Sequence, residues 1–257
     1  MSKKEKKKRT AGDIIRNLIL VIAIGVFAFS AFQLGKIFLE YKAGTDEYNR
    51  VREYVTVTEP EPEQEQEETQ TEPEAEEAKP VPPQVDFDSL KAINPDVIGW
   101  IQIEGTSISY PIMKGTDNEY YLKHTFEGNY NAAGSIFIDY TNNSNFEDCN
   151  TIIYGHNMKN GSMFGLLRKH FKDQESVPGR YIWICTPDKN YRYEIFSSHV
   201  VDAAGEVYTL FLEKMKSQSL VDFQTEVTAE DKVITLSTCT GNDATRFVVQ
   251  AKREGTY

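Results

Sequence analysis

The chain has 257 residues, with three cysteines, four histidines and a formal net charge of −11, and its length allows one large domain or two small ones. So acidic a chain argues against nucleic-acid binding, because neutralising phosphates requires a basic face. The cysteines form no Cys-x-x-Cys pair and the histidines are scattered, so the sequence shows no zinc site.

The N-terminal segment has the pattern of a membrane anchor. Residues 1–17 form a basic head with seven Lys and Arg, and an uncharged apolar run follows from Leu18 to Gly35. Eighteen residues at ~1.5 Å rise span ~27 Å, close to the ~30 Å of a hydrocarbon core. The basic flank predicts a cytoplasmic N-terminus and a single-pass protein in the cell membrane, with everything after Lys36 outside the cell.

Two other interpretations of the apolar run compete with a membrane anchor. A buried core helix is disfavoured because a basic flank beside an uncharged run is the pattern of membrane insertion. A cleaved signal peptide is the stronger rival, since Ala28-Phe29-Ser30 resembles a cleavage site. We favour a retained anchor because the apolar run continues past that site.

Residues 36–83 are predicted to be an extracellular acidic spacer. Between Glu59 and Pro83 the chain holds ten Glu and almost no residue that could build a core. Such a segment cannot bury enough apolar surface to offset its ordering entropy, so it should be disordered and self-repelling. Before it, Tyr48, Val51 and Val55 could line one face of a short helix.

Residues 84–257 are predicted to form the catalytic domain, and they are rich in β-strand signals. Short β-branched and aromatic runs between turn residues predict eight strands, at Val97–Ile103, Ser107–Met113, Gly134–Tyr140, Asn150–Tyr154, Tyr181–Thr186, Tyr191–Val201, Lys232–Ser237 and Arg246–Lys252. Helical patches are predicted at Asp88–Ile93, at Ser162–Phe171 with Ser162 as N-cap, and at Thr209–Ser217. This mainly β pattern favours a barrel or sandwich over a doubly wound sheet.

The cysteines differ in their suitability as a nucleophile. Cys239 ends the apolar run VITLSTC and precedes a polar loop, where a rigid sheet would hold a thiol open to substrate. Cys185 lies within a predicted strand and is expected to be an inert buried thiol. Cys149 lies in a polar loop with no base nearby. Position alone favours Cys239 and leaves the others open.

A cysteine nucleophile needs a proton-transfer partner, and His156 is the best candidate. It follows a predicted strand within TIIYGHN. His170 falls in a predicted helix, and His124 and His199 carry no signature. A lone histidine is more often structural, so the interpretation of His156 as a catalytic residue depends on the other candidate residues of the site.

Acyl transfer also needs a positive or hydrogen-bonding group where an oxyanion develops. Arg246 opens the strand after Cys239, and a hairpin would return it to the thiol's end of the sheet. Arg253 is seven residues further on. That spacing corresponds to ~23 Å of extended strand, too far to share that end.

Together these residues resemble the sortase family. The family's Leu-x-Thr-Cys strand end followed by an arginine is matched by Leu236-Ser237-Thr238-Cys239 and Arg246, and its upstream histidine by Tyr154-Gly155-His156-Asn157. Further segments resemble class B in particular: INPDVIGWIQI, ISYPIMKGTDNEYYLKHTF, GSIFIDY, YGHNMKNGSMF and TLSTC. The resemblance extends from about Phe87 to Lys252.

The resemblance implies an eight-stranded sortase-type β-barrel with N-terminal and inter-strand helices, preceded by the transmembrane helix. It also implies a long helix-containing connection before the cysteine strand, which Gly205–Asp231 fits. The catalytic residues that carry over are Cys239 as nucleophile, His156 as acid/base and Arg246 as oxyanion stabiliser. The substrate-binding positions that carry over or are inferred beside them are Asn118, Leu122, Tyr154, Ser237 and Thr240.

The implied activity is a cysteine transpeptidation that needs no metal or other cofactor. Its partners would be a secreted protein bearing a C-terminal sorting signal and a peptidoglycan amine. The enzyme would cleave the signal at a Thr carbonyl, form a thioester and transfer the protein to the amine. Alternatives are a pilus-polymerising sortase, a cell-wall cysteine peptidase that only hydrolyses, and a non-catalytic adhesion domain. The sorting motif and the acceptor amine stay open.

Overall fold

A computed structural model describes residues 11–57, 80–202, 208–241 and 244–257 of the chain. Its contacts divide the chain into two compact units that meet between Ala43 and Gly44. Residues 1–10 of the predicted basic head, residues 58–79 of the predicted acidic spacer and the first residues of the connection before the cysteine strand lie outside the described residues.

The first unit is built on helix α1 (Ala11–Val51). Over Ile15–Tyr54 the helical segment is long and apolar enough, by length and composition, to cross a membrane. Its large apolar side chains between Leu18 and Leu39 are exposed, as expected for residues that would face lipid. The predicted anchor Leu18–Gly35 falls inside this segment.

The second unit contains ten strands and three further α-helices in its described part. The strands are β1 (Val55–Thr56), β2 (Gln84–Val85), β3 (Val97–Ile103), β4 (Ser109–Met113), β5 (Ile136–Ile138), β6 (Asn150–Tyr154), β7 (Tyr181–Cys185), β8 (Asn190–Asp202), β9 (Val233–Cys239) and β10 (Thr245–Thr256). The helices are α2 (Phe87–Ile93), α3 (Leu167–Phe171) and α4 (Tyr208–Ser217).

Eight of the strands close into a barrel in the order β10-β8-β7-β3-β4-β5-β6-β9, and β1 pairs with β2 outside it. The pairs β4–β5 and β6–β9 are parallel, and the other barrel pairs are antiparallel. Closure leaves no free edge among the eight barrel strands. The predicted eight-stranded barrel is confirmed, and each predicted strand corresponds to one barrel strand.

The barrel is filled by aromatic and branched aliphatic side chains. Among the largest fully buried ones are Trp100, Phe137, Phe164 and Phe247. Helix α4 packs on the barrel through Leu212 and Met215, which form a buried cluster with Phe196 on β8 and Val233 on β9. Because side chains alternate along a strand, the face of β9 that carries Val233 also carries Ser237 and Cys239.

The helix predicted over Ser162–Phe171 is wrong in its first half. Only α3 (Leu167–Phe171) is helical, and Leu166 rather than Ser162 occupies the N-cap position. Met163 has a φ of 54° and Gly161 a φ of 82°, which is the left-handed region and incompatible with an α-helix. Met163 accepts this conformation while fully buried, with its N–H bonded to the Tyr110 hydroxyl at 3.0 Å.

The boundary between spacer and domain differs from the predicted one at residue 84. Residues 44–57 belong to the compact unit that contains the barrel. Tyr48 and Val51 are 3% and 1% exposed, and β1 pairs with β2 through Val55 and Val85. The apolar spacing noted around Tyr48 therefore marks a core contact, and the acidic composition after it hid this boundary.

Candidate active site

Strand pairing brings the predicted catalytic residues to one end of the barrel. Cys239 is the last residue of β9 and pairs directly with Arg246 near the start of β10. On its other side β9 runs parallel to β6, with Tyr154 paired to Ser237. His156 follows Tyr154 by two residues, just as Cys239 follows Ser237. Neighbouring strands therefore deliver a thiol, an imidazole and a guanidinium to the same edge.

Two further hydrogen bonds extend the β6–β9 register past the strand end. The Gly155 N–H donates to the Ser237 carbonyl at 3.2 Å. The Asn157 side-chain amide donates to the Cys239 carbonyl at 2.8 Å. The residue after the histidine is therefore bonded to the backbone of the cysteine. The sequence interpretation missed Asn157, although its position directly after His156 was a signal. Cys239 is partly exposed, so its thiol can be reached from solvent.

The imidazole of His156 is oriented by a backbone carbonyl. Its Nε2 lies 2.7 Å from the Leu122 carbonyl oxygen. A carbonyl can only accept, so Nε2 carries the proton and Nδ1 is the ring atom suited to exchange a proton with a reactant. This is the orienting role that a third group plays beside a catalytic base.

Close packing fixes the backbone just before this histidine. A Cβ built on Gly155 would lie 2.5 Å from Ile136 Cδ1 and 2.6 Å from Phe164 Cδ2. Phe164 is fully buried, and its N–H donates to the His156 carbonyl at 3.0 Å. Glycine at position 155 therefore lets the chain turn from β6 against the barrel core.

Arg246 is half-buried beside the thiol's strand end. One guanidinium nitrogen, Nη1, donates to the Thr245 carbonyl at 3.0 Å. The Thr240 and Thr245 hydroxyls lie 2.5 Å apart, which ties together the two ends of the β9–β10 connection. The charge of Arg246 also reaches Tyr154. Burial, followed by the hydrogen bond to Asp139, raises the pKa of Tyr154 to about 12, and Arg246 opposes that rise.

Polar residues beside this edge centre on the Asp139 carboxylate. It accepts from the Tyr154 hydroxyl at 3.0 Å and from the Asn118 amide at 2.8 Å. Partial burial acts to raise the pKa of Asp139, but hydrogen bonds from Thr141, Asn118 and Tyr154 hold it below its usual value. The Asn118 side-chain oxygen in turn accepts from the Tyr140 N–H at 3.0 Å.

The predicted substrate-binding residues are thus not equivalent in the structure. Leu122 is 37% exposed, whereas Ser237 is 7% exposed, and Thr240 is partly exposed beyond the end of β9. Both ends of the Asn118 amide are engaged by Asp139 and Tyr140.

The competing thiols and the competing arginine lie elsewhere. Cys185 is buried, and burial raises its pKa to about 12, so it is not a thiolate near neutral pH, as predicted. Cys149 is exposed on a loop. Arg253 pairs with Tyr193 on β8 and donates to Glu147 at 3.0 Å, near the end of β10 opposite Arg246. In the structure, Arg253 therefore lies away from the strand end that carries Cys239 and Arg246.

Comparisons with known proteins agree with this architecture. The profile of the sortase domain family matches residues 101–254. Sortase B of Listeria monocytogenes is 33% identical over 252 residues, which covers 92% of this chain and 95% of that protein. The crystal structure of sortase B from B. anthracis in complex with AAEK1 gives a TM-score of 0.67 at 35% identity and covers 84% of this chain and 99% of that one. A Staphylococcus aureus sortase B–substrate complex gives a TM-score of 0.59 at 33% identity, with 65% and 83% covered.

A closed barrel of this topology, with a thiol brought beside an imidazole and a guanidinium, is the framework of a cysteine acyl-transfer enzyme. The identity and coverage of the matches identify the family within that class of enzymes. The chain belongs to the sortase family. Its fold and its relatives are those of class B sortases, and it is therefore a cysteine transpeptidase.

Proposed function

We propose that this sortase joins a secreted protein, through a C-terminal sorting signal, to a peptidoglycan amine, with Cys239 as nucleophile, His156 as acid/base and Arg246 as oxyanion stabiliser. The observation that carries the proposal is the strand register. Cys239 pairs with Arg246 across β9 and β10, and Tyr154 pairs with Ser237 two residues before His156 and Cys239.

In the first half-reaction the Cys239 thiolate attacks the carbonyl carbon of a Thr in the sorting signal. The carbonyl electrons move to oxygen, and Arg246 with the Thr240 N–H stabilises the oxyanion. When the intermediate collapses, the C–N bond breaks and His156 gives a proton to the departing amine. The products are a thioester on Cys239 and the released C-terminal peptide.

In the second half-reaction an amine of peptidoglycan attacks the thioester carbon. His156, now neutral, takes a proton from the attacking nitrogen, and the collapse expels the Cys239 thiolate. The Leu122 carbonyl can orient His156 in both half-reactions, because it accepts a hydrogen bond from the Nε2–H whether the ring is neutral or charged. An amide bond replaces an amide bond, so no outside energy source is required.

The sorting signal would bind along the edge that carries these residues. Leu122, exposed above the His156 contact, suits an apolar side chain of the peptide, and Tyr154 and Ser237 line the adjoining β6–β9 pair. Asn118 already binds Asp139 and the Tyr140 N–H. We therefore assign Asn118 to shaping this wall as well as to contacting peptide.

The apolar part of α1 would hold the enzyme at the outer face of the cell membrane, with the N-terminus in the cytoplasm. The basic residues before Leu18 support that orientation. Protease added to intact protoplasts should remove the catalytic domain. A mature protein that begins near Ala31 would contradict the retained anchor.

The decisive experiment incubates the full chain in detergent micelles with a panel of sorting peptides, with and without an amine acceptor. Products are identified by mass spectrometry. A transpeptidase gives the released C-terminal peptide and an amine adduct. A peptidase gives the hydrolysed acid whatever the amine, and an adhesion domain gives neither product.

Cysteine variants test the nucleophile in the same assay. Cys239→Ala should abolish both products, because it removes the atom that forms the thioester. Cys149→Ser is the matched control at an exposed thiol and should leave most of the turnover. A peptide adduct trapped on Cys149 or Cys185 would contradict the assignment.

A further inference from the structure

The last turns of α1 are inserted into the loop that follows the 3-10 turn Tyr120–Leu122. Glu47 is only 4% exposed. Its carboxylate accepts from the Thr125 hydroxyl at 2.9 Å, the Glu127 N–H at 2.9 Å and the Asn129 amide at 3.2 Å. A buried carboxylate with three donors is a satisfied structural contact, and here it attaches the helix to this loop.

Tyr48, the next residue, reaches the other side of the same loop. Its hydroxyl donates to the Gly134 carbonyl at 2.6 Å and accepts from the Phe126 N–H at 3.2 Å. The Tyr48 ring packs edge-on against Tyr110, with centroids 5.4 Å apart. The Tyr48 hydroxyl also lies 3.1 Å from the Ser135 hydroxyl, so helix and loop are joined through both backbone and side-chain contacts of this one oxygen.

Gly134 lies directly against the carbonyl that orients the catalytic histidine. It has a φ of 55°, and a Cβ built on it would lie 2.7 Å from the Leu122 oxygen and 2.5 Å from the Tyr121 oxygen. The neighbouring Ser135 N–H donates to the Tyr121 carbonyl at 2.8 Å. A shift of Gly134 would therefore move the Leu122 oxygen, or leave space beside it. That oxygen accepts the hydrogen bond from the Nε2–H of His156.

We propose that Tyr48 and Glu47 are positioning residues for catalysis: they hold the loop so that the Leu122 carbonyl keeps the His156 ring in its Nε2–H orientation. The chain of contacts runs from Tyr48 to Gly134, from Gly134 to the Leu122 oxygen, and from that oxygen to His156. This inference rests on the proposed role of His156. It makes the end of the anchor helix part of the catalytic apparatus.

Tyr48→Phe is the sharpest test, because it removes the hydroxyl and keeps the ring in the core. We expect kcat to fall about tenfold, since small displacements of a reacting group are costly, while KM stays nearly unchanged because the altered contact does not face the substrate. In the full chain with ring-15N-labelled histidine, nitrogen shifts at pH 8 should show that His156 loses its preference for the Nε2–H tautomer. Glu47→Gln, which places an amide donor against backbone or side-chain donors, should act in the same direction.

Arg50→Ala is the matched control. Arg50 lies on the same helical turn and contacts the same loop through Glu127 at 3.1 Å, but its side chain is 59% exposed. An exposed pair of this kind contributes little, so kcat and the tautomer signal should stay as in the wild type.

The proposal is overturned if Tyr48→Phe and Glu47→Gln lower only the melting temperature and leave kcat and the His156 tautomer unchanged. The tautomer is read without turnover, so this result is distinct from a failure of the proposed function. If Cys239→Ala remained active, the nucleophile assignment would fall, whereas a tautomer shift in Tyr48→Phe would still support the coupling of Tyr48 to His156.

Discussion

Individual side chains at the barrel end that carries Cys239 are placed by strand register. Arg246 illustrates this, because it stands opposite Cys239 as a consequence of the β9–β10 pairing. Its guanidinium presents a rigid fork of donors, which a lysine at the same position would lack. Charge alone would therefore not replace it.

Arg246→Lys should lower kcat by ~10²-fold or more, the scale for losing an oxyanion donor. The measurement is kcat on a cleaved sorting peptide, with circular dichroism to verify folding. Arg253→Lys, on the same strand but engaged with Glu147, is the control and should keep its turnover. Near-wild-type turnover of Arg246→Lys would leave the oxyanion to backbone amides.

The side chains of the proposed site could be predicted from the sequence, but the backbone group that orients His156 could not. Cys239, His156 and Arg246 could be proposed from the sequence because each adjoins a predicted strand end and because together they match the sortase motifs. The partner that orients His156 is the backbone carbonyl of Leu122. Every residue has such a carbonyl, so no residue type could reveal it, and only the fold of the loop brings it to the ring.

At the scale of elements, strands were easier to predict than the segments between them. Alternating β-branched and aromatic residues mark each barrel strand, whereas Ser162 looked like an N-cap in a segment that is not helical until Leu167. In this segment tertiary packing overrides the local preference of Ser162 for an N-cap position, because Met163 is fully buried in a left-handed conformation.

Helix α4 is held on the barrel partly by a buried histidine. His199 on β8 is 1% exposed. Its Nδ1 lies 3.0 Å from the Ser197 hydroxyl, which itself donates to the Met215 carbonyl at 2.7 Å, and its Nε2 lies 3.0 Å from the Met215 sulfur. Burial, with a smaller effect of Lys214, lowers the pKa of His199 from 6.5 to about 4.

This burial predicts acid sensitivity of the α4 contact. The folded pKa lies below the unfolded one, so the unfolded chain binds the proton more readily. The contribution to stability is complete above pH 6.5 and is lost as the pH falls toward 4, up to about 3 kcal/mol for a shift of this size. Chemical unfolding at pH 7.5 and pH 4.5 should show that the stability gap between wild type and His199→Gln shrinks at the lower pH.

His170→Gln provides the comparison for that experiment. His170 is only partly buried on α3, and its pKa is lowered by burial and then by Lys169. Its removal should alter the pH dependence much less. An equal stability gap between wild type and His199→Gln at both pH values would show that His199 is not the acid-sensitive group.

At the scale of the whole molecule, the last turns of α1, from Gly44 to Val51, share a core with the barrel. The sequence placed the domain boundary after the acidic run because composition changes there. The physical boundary precedes Gly44, because Tyr48 and Val51 are buried with the barrel. Hydrophobic burial at two or three positions leaves little trace in composition, so this part of the organisation required the structure.

Two shortened chains test whether the folded domain begins at Gly44 or at Gln84. A chain that begins at Gln84 loses the buried Tyr48 and Val51, and its melting temperature should fall by roughly 10 °C or more, since each large buried side chain contributes ~2–4 kcal/mol. A chain that begins at Gly44 and replaces residues 60–78 with a short Gly/Ser linker should keep the melting temperature of the intact catalytic unit. Equal melting temperatures would mean that residues 44–57 add nothing.

The β6–β9 pairing also sets when the enzyme can first become active as it folds. Tyr154 and Ser237 pair in parallel across a long loop of chain, and pairings between distant segments are slow to form because the loop between them must close first. A refolding chain would therefore pass through stages in which the Cys239 thiol has no imidazole beside it. Peptide cleavage should return with the slowest refolding phase, after most of the circular dichroism signal.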